Sequence, residues 1–299
     1  PLWAIPQDDQ AKTGLSGTLR MGGVAELAAD ETIAFRVRFE GLVPDRNSLY
    51  WRGPALSRFD GLEWKRSELA GFGTPAERAL AVSGRALRYE MTLEPQRLAM
   101  LPLLEVTPPF EPHAPQIEGL RLNWRRDLQW VTDRALAERL RFKATAFAQA
   151  THGLQENRYS LEQWLELPAA YNPRILAWAA DFQRKAADKS PEALAQAVLA
   201  HIRRGYTYTL TPGTYGDEKG LHAIDEFWLD RREGFCEHFA TAFVVAMRAM
   251  DVPARVVTGY QGADEALQEG WLVVRNSHAH AWAEVWLQGR AWVRVDPTA

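Results

Sequence analysis

Two periodicities divide the chain. Within residues 32–39, Ile33, Phe35, Val37 and Phe39 fall on one face, and residues 87–93 alternate again. Period two is the mark of a half-buried strand. Shorter runs at 49–52, 62–65, 120–124, 128–131 and 140–145 lie between turn signals such as Asp60-Gly61 and Arg126-Asp127. Short strands with turns between them, and no strong helix, predict an all-β, sandwich-like antiparallel region up to about residue 150. Ahead of it, residues 1–30 read as an arm, because Gly14, Gly17, Gly22 and Gly23 break any regular pattern.

The period then changes. Asn172-Pro173 is a helix-start signal, followed at helical spacing by Ile175, Leu176, Trp178, Ala179 and Phe182. Ser190-Pro191 starts a second helix with the stripe Leu194, Val198, Leu199 and Ile202, ending at Gly205. After a strand-like run at 206–210 and a loop at 211–220, a third helix starts at Cys236. It carries Phe239, Phe243, Met247 and Met250 and is closed by Pro253. Runs 254–258, 271–275, 279–287 and 291–295 read as strands. Helices first and antiparallel strands after make an α+β order. The expected division is a β-rich region over 1–150, a helical connector over 151–189 and a core over 190–299.

Composition narrows the class. The 299 residues are 46% hydrophobic and 24% charged, which suits a globular protein large enough for more than one core. A net charge of −3 predicts no broad affinity for nucleic acid or anionic membrane. No run is long and apolar enough to span a bilayer. The chain opens at Pro1 without a methionine, so it is expected to be a piece of a longer protein that carries any membrane segments elsewhere.

Cys236 is the single cysteine, so it forms no internal disulfide. It sits in the first turn of its helix, where free N–H groups and the macrodipole favour a thiolate. Its pKa is therefore expected below the free-cysteine value of about 8.5. A cysteine nucleophile needs an imidazole, and the imidazole needs an acceptor on its other nitrogen. The last two strands supply both. With Leu287-Gln288-Gly289 as a three-residue hairpin loop, Trp286 pairs with Arg290, and His280 falls opposite Asp296. Opposed side chains have Cβ atoms about 5 Å apart, so the carboxylate can reach the ring. Singly, Cys236 reads as a small buried hydrophobe, His280 as a core histidine and Asp296 as a strand-end cap. Jointly the three favour catalysis.

Other residues were weighed. His278 and His280 form an H-x-H pair, but no second cluster supplies further ligands, so no metal is expected. His238 reads as structural and Glu237 as a solvated first-turn acid. Trp228, Trp282 and Trp286 read as core. Arg255 reads as half of an ion pair whose acid the sequence does not identify. The backbone N–H of Cys236 suits one oxyanion donor; the second lies with Trp228 or near Tyr206 or Tyr208.

Four segments carry a resemblance: residues 234–240 (GFCEHFA), 252–260 (VPARVVTGY), 280–285 (HAWAEV) and 295–298 (VDPT). In this order they resemble the bacterial transglutaminase-core family, most closely its membrane-anchored members. The clear likeness covers about 190–299. It implies a papain-like core of helix plus antiparallel sheet and a Cys236, His280, Asp296 triad. It also implies acyl transfer from a peptide or protein glutamine through a thioester to an amine, with no required cofactor. It further implies a periplasmic domain of a protein anchored in the inner membrane, touching membrane only through segments outside this chain. A periplasmic peptidase or amidase with the same triad, and a non-catalytic binding module, are the alternatives.

Overall fold

The structure is a computed structural model that describes residues 14–66 and 79–299. The first 13 residues of the expected arm lie outside them. The rest of the arm is regular: a short strand, Thr18–Arg20, leads into a six-residue helix, α1 (Gly23–Ala28), with Gly22 in the left-handed conformation at its start. The glycines there punctuate structure rather than abolish it.

The helix that begins at the cysteine, α4 (Cys236–Ala249), organises the molecule. Every residue from Cys236 to Arg248 is buried. A helix apolar on all sides has to be covered on all sides. Helices α2 (Pro173–Lys185) and α3 (Pro191–Gly205) pack on it from one direction, and strands from another. Arg248 is tolerated in this interior because its guanidinium donates to the carbonyls of Ala254, Ser57 and Glu166.

Among the described residues, two larger antiparallel sheets, beside three small sheets of two or three strands, frame the site. The first contains β1 (Ile33–Phe39), β3 (Leu80–Leu93), β5 (Leu140–His152) and β7 (Leu272–Arg275), in the order β5-β3-β1-β7. The second contains β2 (Tyr50–Leu56), β4 (Leu103–Leu104), β6 (Ala254–Gln261), β8 (Ala279–Leu287) and β9 (Ala291–Val295), in the order β9-β8-β6-β2-β4. Each sheet mixes strands from before residue 150 and after residue 190. The register along β6 brings Gly259 opposite His280 on one side, while β2 runs along the other. A Cβ at Gly259 would lie 2.0 Å from the carbonyl oxygen of Trp51, so only glycine lets β2 come this close.

The carboxy-terminal hairpin differs from the expected register. Trp286 pairs with Trp292, not Arg290, and Glu284 pairs with Arg294. Leu287 and Ala291 close the hairpin around Gln288, Gly289 and Arg290. The reason is burial: Leu287 and Ala291 are 5% and 0% exposed, and the expected loop would have put Leu287 in solvent. The shift amounts to two positions across the pair. An even shift keeps each side chain on its face, so His280 and Asp296 become diagonal rather than direct neighbours on the same side.

Candidate active site

Three elements converge on the cysteine. The first turn of α4 carries Cys236, whose side chain has no exposure. The start of β8 carries His280, and the residue after β9 is Asp296. The backbone N–H groups of Ala281, next in sequence to His280, and of Glu237 both favour the thiolate form of Cys236. His280 Nε2 is 2.7 Å from Asp296 Oδ2. An ionised carboxylate only accepts, so Nε2 carries a proton and Nδ1 is the ring nitrogen that Asp296 does not engage.

Asp296 is tied down on both oxygens. Oδ1 accepts from the Thr298 backbone N–H at 3.0 Å and from its hydroxyl at 2.8 Å. Oδ2 accepts from the Tyr50 hydroxyl at 2.8 Å as well as from His280. Burial pushes the carboxyl up, but the bond and charge of His280 and the Thr298 bonds outweigh it and hold the group down at about 2. The acid stays ionised throughout the physiological range.

The thiol departs from expectation. Burial, then the neighbouring Glu237 carboxylate, push the Cys236 thiol well above its ordinary value, against the N–H bonds of Ala281 and Glu237. The desolvation of a fully enclosed sulfur exceeds what a helix end returns. The Tyr208 phenol lies near the same thiol; burial, then the charges of Cys236 and Asp296, raise it. The Tyr206 hydroxyl is spent on the Trp228 carbonyl at 2.6 Å, whereas the indole N–H of the fully buried Trp228 has no partner among the described residues.

Glu237 is the second correction. It is not solvated: both oxygens are used, accepting from the backbone N–H groups of Gly22 at 2.8 Å and Val24 at 2.7 Å. It pins α1 to the first turn of α4. Burial raises its carboxyl to about 7 despite these bonds. His238 is buried, and its Nδ1 accepts the Phe235 N–H at 3.1 Å, which caps α4. His278 lies in a short 3-10 turn, Asn276–His278, rather than on the strand of His280, and its Nδ1 accepts the Arg275 N–H. Trp228, Trp282 and Trp286 do not form one cluster. Trp228 packs on Trp178 and Tyr206, Trp282 on Tyr50 and His280, and Trp286 donates to the Gly153 carbonyl.

Arg255 finds its acid in Glu284, at 3.3 Å. Arg52, 4% exposed, bridges Glu284 and Glu105 at 2.5 Å each, and Arg294 joins Glu105 at 2.7 Å. Among the described residues no group of three His, Cys, Asp or Glu side chains is placed to hold a metal ion. Also among them, no helix is long and apolar enough to cross a membrane.

Sequence reasoning missed Tyr50 and Thr298. Tyr50 opens a strand some 230 residues before His280 (280 − 50). Nothing local distinguishes it from a packing tyrosine. Thr298 was legible in principle, since a hydroxyl two residues after an acid commonly bonds back to it.

Known proteins share this arrangement of chain. The family described as TgpA N-terminal domain matches residues 1–151, and the transglutaminase-like superfamily matches residues 177–297. A protein-glutamine gamma-glutamyltransferase of Pseudomonas aeruginosa is 34% identical over 303 residues. The match takes in all of this chain and 42% of that protein's length. The uncharacterized protein YebA of Bacillus subtilis is 35% identical over 79 residues, 25% of this chain and 11% of that one. Among solved structures, the periplasmic domain of TgpA from Pseudomonas aeruginosa superposes with a TM-score of 0.86 at 33% identity, over 96% of this chain and 94% of that one.

Proposed function

The chain belongs to the transglutaminase-like superfamily, in the group whose core follows a TgpA N-terminal domain, and from that premise we propose that it is a protein-glutamine gamma-glutamyltransferase. The observation that carries this reading is an imidazole whose Nε2 is fixed by Asp296, on a strand whose next residue, Ala281, acts through its N–H on the Cys236 thiol.

This reading implies the following steps. Sγ attacks the carboxamide carbon of a glutamine side chain while His280 Nδ1 takes the thiol proton. General-base removal suits a thiol whose pKa burial has raised. The oxyanion is received by the Cys236 backbone N–H, with the second donor drawn from the unpartnered Trp228 indole N–H and the Tyr208 hydroxyl. Tyr206 is spent on the Trp228 carbonyl. The imidazolium then protonates the departing ammonia and leaves a thioester on Cys236. An amine attacks the thioester, His280 takes its proton, and the cysteine is released as thiol. Asp296 orients His280 throughout and offsets its transient charge.

The chain acts in the periplasm as part of a protein anchored in the inner membrane. The likeness to the periplasmic domain of TgpA supports this. Its partners are a peptide or protein glutamine donor and an amine acceptor. The test is mass spectrometry of the intact protein after incubation with a glutamine peptide, with and without a primary amine. The expected products are an acyl adduct on Cys236 with release of ammonia, amine-dependent product, and neither in Cys236→Ala. Peptide-bond cleavage with no amine product across a range of amines would replace the transferase with a peptidase using the same three residues.

A further inference from the structure

The amino-terminal half reaches the Asp296 carboxylate through the Tyr50 hydroxyl. Tyr50 opens β2, is 6% exposed, and its ring packs edge-on to Trp282 with centroids 5.2 Å apart. The Arg294 guanidinium lies over the ring at 3.9 Å. Trp282 in turn stacks against His280 at 6.2 Å and 24°. The ring thus braces the indole that supports the imidazole, and the hydroxyl lands on the oxygen that holds the imidazole.

We infer that Tyr50 is a positioning residue for the Cys236–His280–Asp296 site, donated by the amino-terminal half, and that it acts by fixing the Asp296 carboxylate against His280. The inference rests on the reading of the site given above. Thr298 anchors only Oδ1, so without Tyr50 the sole partner of Oδ2 is the ring it must orient. A second donor at Oδ2 locks the carboxylate plane before the ring takes up charge. It also draws charge from Oδ2 and so moderates its pull on the imidazolium.

Burial, then the Asp296 charge, raise the Tyr50 phenol, so it stays a proton donor over the whole working range. The charged and titratable groups facing it are Asp296, Arg294 and Glu105, with His280 across the shared oxygen. Packing alone does not need the hydroxyl, because phenylalanine fills the same space against Trp282 and Arg294. This gives the β-rich region a direct part in the chemistry, since residues 177–297 lack this donor.

The experiment is Tyr50→Phe in the full chain, read by glutamine-dependent ammonia release and by the pH profile of iodoacetamide alkylation at Cys236. The expected result is a kcat about tenfold lower, the loss of one hydrogen bond to a charged group, with KM within about twofold. The ionisation that limits alkylation should move to higher pH, since Asp296 keeps more charge for the imidazolium. In an Asp296→Asn background the same change should alter the rate by less than about twofold, because the residue acts through Asp296. An unchanged rate with superimposable pH profiles overturns the inference. So does an equal loss in the Asp296→Asn background, which would mark a structural role. Alkylation needs no glutamine, so it decides on Tyr50 even if no thioester forms and the transferase reading fails.

Discussion

Asp296→Asn tests the proposed chemistry most directly, because the structure dictates which way the new amide must face. The Thr298 backbone N–H can only donate, and it points at Oδ1. The amide oxygen therefore takes the Oδ1 position, and the NH2 group replaces Oδ2, facing His280 Nε2. An N–H donor there forces Nε2 to accept, so the ring proton moves to Nδ1. A protonated Nδ1 cannot take the thiol proton. The productive tautomer requires the amide to turn over, leaving the Thr298 N–H against a donor, at about 1–3 kcal/mol. Loss of the charge-assisted bond to the imidazolium adds about 1.5–3 kcal/mol. At about 1.4 kcal/mol per tenfold, the sum predicts a rate roughly 10²- to 10⁴-fold lower.

The same substitution has a stability signature. The folded carboxyl, at about 2, lies below its unfolded value of about 3.9. A depressed acid contributes stability above the unfolded value that is lost as pH falls through the folded one, here about 2–3 kcal/mol between roughly pH 4 and pH 2. The variant should lack that step in a urea titration while melting cooperatively at pH 7. The assays are ammonia release from a glutamine peptide and alkylation of Cys236, each at several pH values. A variant that folds and keeps more than about a tenth of the wild-type rate refutes the role given to Asp296.

Two further substitutions probe the frame around the site. Glu237→Gln sets an amide NH2 against the N–H of Gly22 or Val24 and should cost about 1–3 kcal/mol in urea unfolding. Because the Glu237 carboxyl is raised to about 7, its stability is fully present below its unfolded value of about 4.3 and lost as pH rises through 7. The wild-type advantage should therefore shrink between pH 5 and pH 8; buried His238 and His152, depressed to about 4 and about 3, cancel in the difference, and an advantage that grows with pH would show the N–H bonds outweighing desolvation. Arg52→Met removes the cation between Glu284 and Glu105 and should cost about 3–5 kcal/mol, read as a lower urea midpoint with unchanged slope. A loss under about 1 kcal/mol would mean that Arg255 and Arg294 suffice for those acids.

The pattern of side chains carried the local decisions. Period two marked β1 and the second half of β3, and the Asn-Pro and Ser-Pro signals marked α2 and α3, because those choices depend on neighbours within a few residues. The spacing of Cys236, His280 and Asp296, with the motifs around them, was enough to nominate the site. Parity did the rest: an even slip in the hairpin changed the partners of Trp286 and Glu284 but left His280 and Asp296 on one face, within 2.7 Å.

Tertiary structure decided what depends on enclosure and on distant chain. The direction in which the Cys236 thiol is displaced is governed by desolvation, which no sequence window contains. Glu237 looks like any first-turn acid until α1, more than 200 residues earlier, is seen to bring Gly22 and Val24 onto it. Tyr50 gains its part only because β2 is drawn beside β6 in one sheet, at the approach that Gly259 permits. Local sequence selects elements through backbone geometry and the burial of alternate side chains. Charge states and bonding partners follow from which surfaces meet, and that is a property of the packed whole.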